Sequence, residues 1–243
     1  LARLLAEIDR NFSAALTGES VLKKTPISAY DELLTKGIAP DAYRPTVYDF
    51  LVYQALQFYQ AGEQGSVAAE EAFEIAADSP IFGDTASFLN WKPETNDETA
   101  PHLKALRLYQ ALLRFHKGDA DRSAFFDADL ARLSFGHNVA VGETKDDRYQ
   151  AALERFAKQT TAHEISARAM AELASLQVQR GHAAEAHRLA EEGAKTFPQS
   201  VGAALSPNIA MDIHSPPAQL RTGPVSNAPW PAIEVRYKNI GHL

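Results

Sequence analysis

The side chains of this sequence most able to perform chemistry are histidines and acids, since it has eight His, 31 Asp and Glu and no Cys. His163 and Glu164 begin the HExxH pattern, in which two histidines on one helix face bind zinc and the glutamate is the general base. Ala167 occupies the position of the second histidine. The pattern is therefore incomplete, and we expect no zinc site here.

A second group of candidate ligands lies further along the chain. His182, Glu185 and His187 approach the inverted zinc pattern, which needs adjacent Glu and His, but Ala186 separates them. Histidines five residues apart do not share a helix face as those four apart do. We therefore expect solvated histidines near a helix start rather than metal ligands.

Other catalytic patterns are missing from the sequence as well. It contains no Gly-rich phosphate loop and no G-x-S-x-G elbow. Adjacent acids on predicted helices point apart, so they do not form an acid–base dyad. Three such pairs occur, Glu70 with Glu71, Asp146 with Asp147, and Glu191 with Glu192. We predict a protein that is not an enzyme, with no catalytic, cofactor-binding or metal-binding residues.

Composition narrows the class of protein further. With 243 residues, 45% hydrophobic and 23% charged, the chain can hold one large globular domain or two small ones. Its net charge of −7 disfavours nucleic acid and anionic membrane surfaces as partners, because both require a basic footprint. No apolar run approaches the roughly 18 residues of a membrane span. We expect no nucleic-acid partner and no direct membrane insertion.

The most specific packing pattern runs from residue 167 to residue 198. Apolar residues recur at helical spacing on both sides of Gly181, which is expected to end the first helix. Ala174 and Ala186 are small residues where two antiparallel helices would cross, and Pro198 closes the unit. This spacing is typical of a tetratricopeptide repeat. An ordinary helical hairpin is the alternative, because the aromatic positions of the repeat are absent.

Hydroxyl residues followed three positions later by an acid predict further helix starts. They are Ser28, Thr46, Thr144 and Thr161, which place helices at about 29–36, 47–61, 145–158 and 162–180. The 47–61 helix is apolar nearly all round, so we expect it to be buried in the bundle. Helical patterns also cover residues 1–16 and 68–77.

A second helical hairpin is predicted between Pro101 and Leu133, with its turn at 117–119. Counted from the turn glycine, Ala111 and Ser123 correspond to the two small residues of the later hairpin, which indicates an internal repeat. A loop is expected at 136–142. The segment 78–101 lacks helical periodicity but is rich in Phe and Trp, so we expect it to lie against the bundle; a partner-binding loop is the alternative.

The character of the chain changes after the later hairpin, where prolines become frequent. Alternating β-branched residues around 209–213 and 233–237 predict strands. The predicted fold is therefore all-α, a tetratricopeptide-like array of helical hairpins over 1–205. A Pro-rich C-terminal tail with short β-strands, 206–243, would form a linker and the first strands of a β-rich domain.

Four stretches carry a family resemblance: RPTVYDFLVYQALQFY at 44–59, DSPIFG at 78–83, the hairpin end FPQS at 197–200 and PWPAIEVRYKNI at 229–240. Together they resemble the N-terminal helical region of large bacterial α2-macroglobulin-like proteins. In that family a tetratricopeptide-like region precedes β-sandwich macroglobulin domains, whose first strand has the form V-x-Y-x-N. Val235, Tyr237 and Asn239 match that form.

The resemblance implies a location in the periplasm or at the cell surface, within a protein that traps proteases. It also fits a chain that begins at Leu1 in mid-helix pattern, which we interpret as a piece of a longer protein. Some family members carry a thioester motif, GCGEQ. Residues 61–64 match it only superficially, and without cysteine no thioester chemistry is implied for this chain.

The sequence thus favours a non-catalytic protein-interaction or positioning module of a bacterial α2-macroglobulin-like protease inhibitor. Its partner would be another protein or the parent protein's own β-domains. The first alternative is a free-standing tetratricopeptide adaptor, which should end in a capping helix. The second is a hydrolase on a helical scaffold, which should bring histidines and acids together.

Overall fold

The computed structural model describes residues 1–35, 37, 39–61 and 73–214, together with the backbone of residues 219–222 and 233–236. This part of the chain is mostly helical, as predicted. Its α-helices are α1 Ala2–Leu16, α2 Glu19–Leu22, α3 Val47–Gln60, α4 Thr85–Asn90, α5 Pro101–His116, α6 Ser123–Val139, α7 Lys145–Gln159, α8 Ile165–Gln179, α9 Ala183–Thr196 and α10 Val201–His214. Strands β1 Gln219–Thr222 and β2 Ile233–Arg236 pair antiparallel.

The main core is the cluster of large apolar side chains contributed chiefly by α3, α5, α6, α7 and α8. Val52, Ala55 and Leu56 of α3 are buried in it, as expected from the apolar surface of that helix. α3 begins at Thr46, whose hydroxyl accepts from the backbone N–H of Asp49 while the Asp49 carboxylate accepts from the backbone N–H of Thr46. This reciprocal cap confirms the predicted start of the helix.

Residues 78–100, which precede α5, lie against the main core, also as predicted. Ile81 and Phe88 are fully buried, and Trp91 packs at the edge. Arg132 of α6 holds this segment through its terminal nitrogens, which donate to the carbonyls of Ile81 and Gly83 at 2.6 and 2.9 Å. Because these donors are buried and paired, the segment is fixed rather than a free loop.

Helix α6 continues to Val139, so the loop expected at 136–142 is wrong over 136–139. Gly136 does not break the helix. Because it has no side chain, it leaves space for the side chain of Ile81. A Cβ atom on Gly136 would lie 2.6 Å from Cγ1 of Ile81. The glycine marks a close approach of two elements, which composition alone does not distinguish from a turn.

Two predicted helices do not form as expected. The predicted helix at 29–36 is replaced by a single 3₁₀ turn, Ile27–Tyr30, a turn at 31–33 and irregular backbone at 34–35, while residue 36 lies outside the described part. Within 68–77, residues 68–72 lie outside the described part, and the remainder is non-helical. Ala77 N–H donates to the Val141 carbonyl at 2.8 Å and Val141 N–H to that of Ile75 at 2.9 Å. Tertiary pairing with the loop after α6 thus overrides the helical pattern.

Helix α8 begins at Ile165 rather than at residue 162. The Thr161 hydroxyl donates back to the carbonyls of Ala157 and Lys158 at 3.2 and 2.8 Å. It therefore satisfies carbonyl groups at the end of α7 instead of capping α8.

The last three helices pack on one another through small side chains. α8 contacts both α9 and α10, and α9 contacts α10. Gly181 ends the α8 region with a φ of +79°, as the sequence predicted. We call the buried group shared by these helices the alanine cluster, and its members are Ala171, Ala174, Ala186, Ala190 and Ile209.

Helix α10 runs across the predicted boundary at 205, so the strand expected around 209–213 is wrong. Gly202, Ser206 and Ile209 recur at helical spacing and face α8 and α9. A Cβ on Gly202 would lie 2.3 Å from backbone atoms of α8, the Ser206 hydroxyl donates to the Ala190 carbonyl at 3.0 Å, and Ile209 is buried. The spacing of the residues that face α8 and α9 is therefore helical, and the alternation of β-branched residues does not produce a strand here. Residues 215–218, 223–232 and 237–243 lie outside the described part, including Tyr237 and Asn239.

Candidate functional site

One pair of residues approaches catalytic geometry. Oγ of Ser123, the first residue of α6, lies 3.1 Å from Nε2 of His163 in the turn before α8. The backbone N–H of Ile165 donates to His163 Nδ1 at 3.1 Å, so a neutral imidazole carries its proton on Nε2. Nε2–H then donates to the serine oxygen, and the ring does not accept the serine proton as a general base does. The pair joins α6 to the turn.

This bond also bears on the internal repeat predicted between the two hairpins. Ser123 uses its hydroxyl for a specific hydrogen bond, and Ala111 is only partly buried. Ala174 and Ala186, by contrast, are completely buried where their helices meet. The correspondence between the two hairpins therefore stays a prediction.

The residues of the two incomplete zinc patterns face separate partners. Glu164 accepts from the Tyr43 hydroxyl at 2.7 Å, while the neighbouring His163 bonds to Ser123. Near α9, His182 Nδ1 lies 2.8 Å from the Gln177 side chain, and Glu185 accepts from Arg188. Across the described ranges, no three His, Asp or Glu side chains are arranged to hold a metal ion.

Each of the adjacent acids that the structure describes has its own side-chain partner, while Glu70 and Glu71 lie outside the described residues. Asp146 lies 2.9 Å from Nε2 of His137. The ion pairs of the others are Asp147 with Arg180 at 2.7 Å, Glu191 with Lys195 at 2.8 Å, and Glu192 with Arg188 at 2.7 Å. These pairs stabilise helix surfaces and form no acid–base dyad.

A buried carboxylate joins several elements of the main core. Asp127 of α6 accepts from the Tyr53 hydroxyl and from Arg168 Nη1, both at 2.6 Å, and lies 3.5 Å from Arg44 Nε. Burial, followed by the charge of Asp127, raises the pKa of Tyr53 well above its ordinary value. The phenol therefore stays protonated and remains a donor. This network fixes the segment before α3 against α6 and α8.

Beside this network a cleft of about 230 Å³ opens between α3 and the irregular segment that precedes it. We call it the Arg44 cleft. Its apolar walls are formed by Ile27, Leu34, Ala39, Pro40, Phe50 and Tyr53. Its polar lining comes from Thr35, Asp41, Arg44 and Gln54. Apolar walls with a few convergent polar groups are the usual composition of a ligand-binding cleft.

Arg44 supplies the cationic group of this cleft. Its guanidinium carbon lies 3.7 Å from the centre of the Tyr53 ring, and the side chain is 47% exposed. Asp127 receives its short bonds from Tyr53 and Arg168, and only Nε of Arg44 approaches it. Within the described residues, the terminal nitrogens of Arg44 and the exposed amide of Gln54 have no side-chain or backbone partner.

The arrangement can hold an apolar side chain against the walls while the guanidinium binds a carboxylate or carbonyl oxygen. The sequence did not reveal this cleft, because part of its wall lies where a helix was expected at 29–36 and a 3₁₀ turn with irregular backbone forms instead. The available signal was Arg44 itself, a basic residue immediately before an aromatic-rich helix. Its significance depends on the network that holds it over Tyr53, which a linear pattern does not reveal.

Comparison of the chain with protein-family models, with curated proteins and with solved structures finds no match. None of the helices in the described part has the length and apolar character needed to cross a membrane.

Proposed function

We propose that the chain is a non-catalytic protein-interaction or positioning module of a bacterial α2-macroglobulin-like protease inhibitor in the periplasm or at the cell surface. In this proposal its helical hairpins form a tetratricopeptide-like array, and the partner is the parent protein's own β-domains. The sequence resemblance supports the family, and the packing of α8 on both α9 and α10 is compatible with a repeat array.

The observation that carries the interaction function is the Arg44 cleft. It combines an apolar wall with a half-exposed guanidinium fork that is held in place by stacking on Tyr53. A fork fixed in this way loses little conformational freedom when it binds, which favours recognition of an acidic side chain beside an apolar one. Aromatic and arginine anchors of this kind dominate many protein interfaces.

The test begins with the gene beyond Leu243. If it encodes β-sandwich domains, they are produced and their binding to the chain is measured by isothermal titration calorimetry. Arg44→Gln should weaken binding about tenfold or more, since a charge-assisted pair is lost. Gln54→Trp should weaken it by filling the cleft from the exposed face of α3. Arg188→Gln, on the far helix α9, is the matched control and should bind as the wild type does.

Equal binding by all four proteins would place the interface elsewhere on the chain. A stop codon soon after Leu243 would exclude the macroglobulin proposal. A free-standing tetratricopeptide adaptor would then be preferred, and one observation favours it: α10 follows the last hairpin directly, as a capping helix does. The hydrolase alternative has no such observation, because the Ser123–His163 pair has the wrong donor direction.

A further inference from the structure

A buried histidine outside the Arg44 cleft is held between two carboxylates. His116 is the last residue of α5, and its side chain is 1% exposed. Its Nε2 lies 2.7 Å from Oδ1 of Asp49 on α3, and its Nδ1 lies 2.7 Å from Oδ2 of Asp119 in the turn before α6. One ring therefore connects the end of α5, the start of α3 and the α5–α6 turn.

This geometry determines the protonation state of the ring. An ionised carboxylate only accepts hydrogen bonds, so both ring nitrogens of His116 must donate. Only the imidazolium has two N–H donors. A neutral ring would turn a nitrogen lone pair toward one carboxylate, which is repulsive. The contacts thus require a charged histidine in the folded protein.

The two carboxylates are not equivalent. Asp49 is fully buried, and its other oxygen accepts from the backbone N–H and the hydroxyl of Thr46 at 2.9 and 2.8 Å. Asp119 has a side chain that is 42% exposed. Asp49 is therefore fixed by the helix cap, whereas Asp119 can rotate into solvent when the ring no longer donates to it.

Other charged groups around the ring come from neighbouring elements. Arg122 of the α5–α6 turn donates to the backbone carbonyl of His116 at 3.3 Å. Lys23, which follows α2 and pairs with Glu19, lies 4.7 Å from the centre of the Phe115 ring, itself 4.3 Å from the His116 ring.

Burial alone would lower the pKa of His116, but the hydrogen bonds and charges of Asp49 and Asp119 outweigh it and raise the pKa above its ordinary value of 6.5. The position of the ring at the C-terminal end of α5 acts in the same direction, because the negative end of the helix dipole favours a cation.

We propose that His116 is a pH-dependent clamp, which ties the α5–α6 turn to the start of α3 while the ring is charged and releases the turn when the ring loses its proton. Because the folded pKa is raised, the stabilising contribution is fully present below the unfolded value of 6.5 and is lost as the pH rises through the folded value. The released element is the turn at 117–122, since Asp49 keeps its bonds to Thr46.

The test uses NMR titration of the His116 ring in the full chain, with amide exchange of the turn measured at each pH. The amide of residue 119 is a suitable probe, because it donates to the His116 carbonyl at 3.3 Å. The wild type should titrate above 6.5, and amide protection, corrected for intrinsic rates, should fall by about tenfold or more through the same pH range. Asp119→Ala should lower the ring pKa and remove the pH dependence of protection.

Asp146→Ala is the matched control, since it removes the carboxylate beside another histidine, His137. It should leave both the pKa of the His116 ring and the pH dependence of amide protection in the turn unchanged. Titration of His116 at or below 6.5 in the wild type would overturn the proposal. So would an unchanged His116 pKa in Asp119→Ala, or turn exchange that does not follow the titration. Asp119 and Asp146 have side chains that are 42% and 51% exposed, so neither substitution is expected to unfold the chain.

Discussion

In the main core, large apolar side chains enclose charged groups that are paired, whereas in the alanine cluster small side chains let helix backbones approach closely. Arg132, 1% exposed, typifies the first region, with bonds to Asp129 and to two backbone carbonyls. Gly202, which touches the backbone of α8, typifies the second. The first arrangement specifies particular partners, while the second requires mainly that side chains be small.

Buried polar groups that require particular partners can give a region binding specificity, and the two regions differ in this respect. The network around Asp127 fixes the shape of the Arg44 cleft, because each of its buried polar groups requires its own partner. The alanine cluster positions three helices, and all five of its members named above are apolar. We therefore propose that recognition belongs to the main core region and that the last three helices have a packing role.

Arg132→Met should have the largest effect on stability. It removes the buried cation that pairs with Asp129 and the donor to the Ile81 carbonyl, whereas Gly83 still accepts from Arg155. We expect a loss of about 3–5 kcal/mol in the free energy of unfolding, because a buried ion pair is broken from one side. Urea denaturation followed by circular dichroism measures it. A loss below about 1 kcal/mol would mean that the apolar contacts, not the paired charge, hold this region together.

Gly202→Ala should be a damaging small substitution at the contact of α10 with α8, beside the alanine cluster. Its Cβ would meet backbone atoms of Ala167 and Arg168 that cannot rotate away. We expect a loss of about 3 kcal/mol, at the upper end of ordinary overpacking. Gly118→Ala is the control, because no heavy atom lies within 4 Å of its added Cβ. Equal melting temperatures for the two variants would contradict the close approach of α8 and α10.

Asp84→Ala should have a smaller effect near the main core. Asp84 caps α4 by accepting from the Ser87 N–H at 2.7 Å, and this bond lowers the pKa of its carboxyl. Loss of the cap should cost about 1 kcal/mol at neutral pH. Because the pKa is lowered, the contribution is present above the unfolded value of 3.8 and disappears as the pH falls through the folded value. Denaturation at neutral and at strongly acidic pH measures this, and the difference in stability between the wild type and Asp84→Ala should be smaller at acidic pH.

Arg188→Ala should have no measurable effect on stability, although Arg188 pairs with both Glu185 and Glu192 on α9. The three side chains are exposed, and surface ion pairs contribute little because water competes for them. Thermal unfolding of this variant beside the wild type is the measurement. A clear drop in melting temperature would show that the last helices depend on surface charge as well as on small-residue packing.

The regions also differ in how far the sequence revealed them. The α8–α9 hairpin was predictable, because Ala174, Gly181 and Ala186 act through size and backbone freedom, which residue identity reports directly. The burial of α3 was predictable from its apolar surface. The continuation of helix α6 through Gly136 was not predictable, because the glycine is required by close contact with Ile81, a residue 55 positions earlier in the chain.

The candidate site was less predictable than the fold. The zinc patterns are incomplete in the sequence itself, where Ala167 replaces the second histidine of one and Ala186 separates the residues of the other. The Arg44 cleft and the His116 clamp depend on Asp127, Asp49 and Asp119, which lie far from one another in sequence or on different elements. Only the tertiary structure brings such groups together, so no linear motif marks them.

The most direct test of the central claim is a hydrogen-exchange footprint of the chain, alone and saturated with the β-domains that we propose as its partner. The account predicts added protection in peptides that cover 39–54, the segment and helix that line the Arg44 cleft, and no change in α9 and α10. Protection confined to α9 and α10, with 39–54 unchanged, would contradict it and assign binding to the small-residue hairpins.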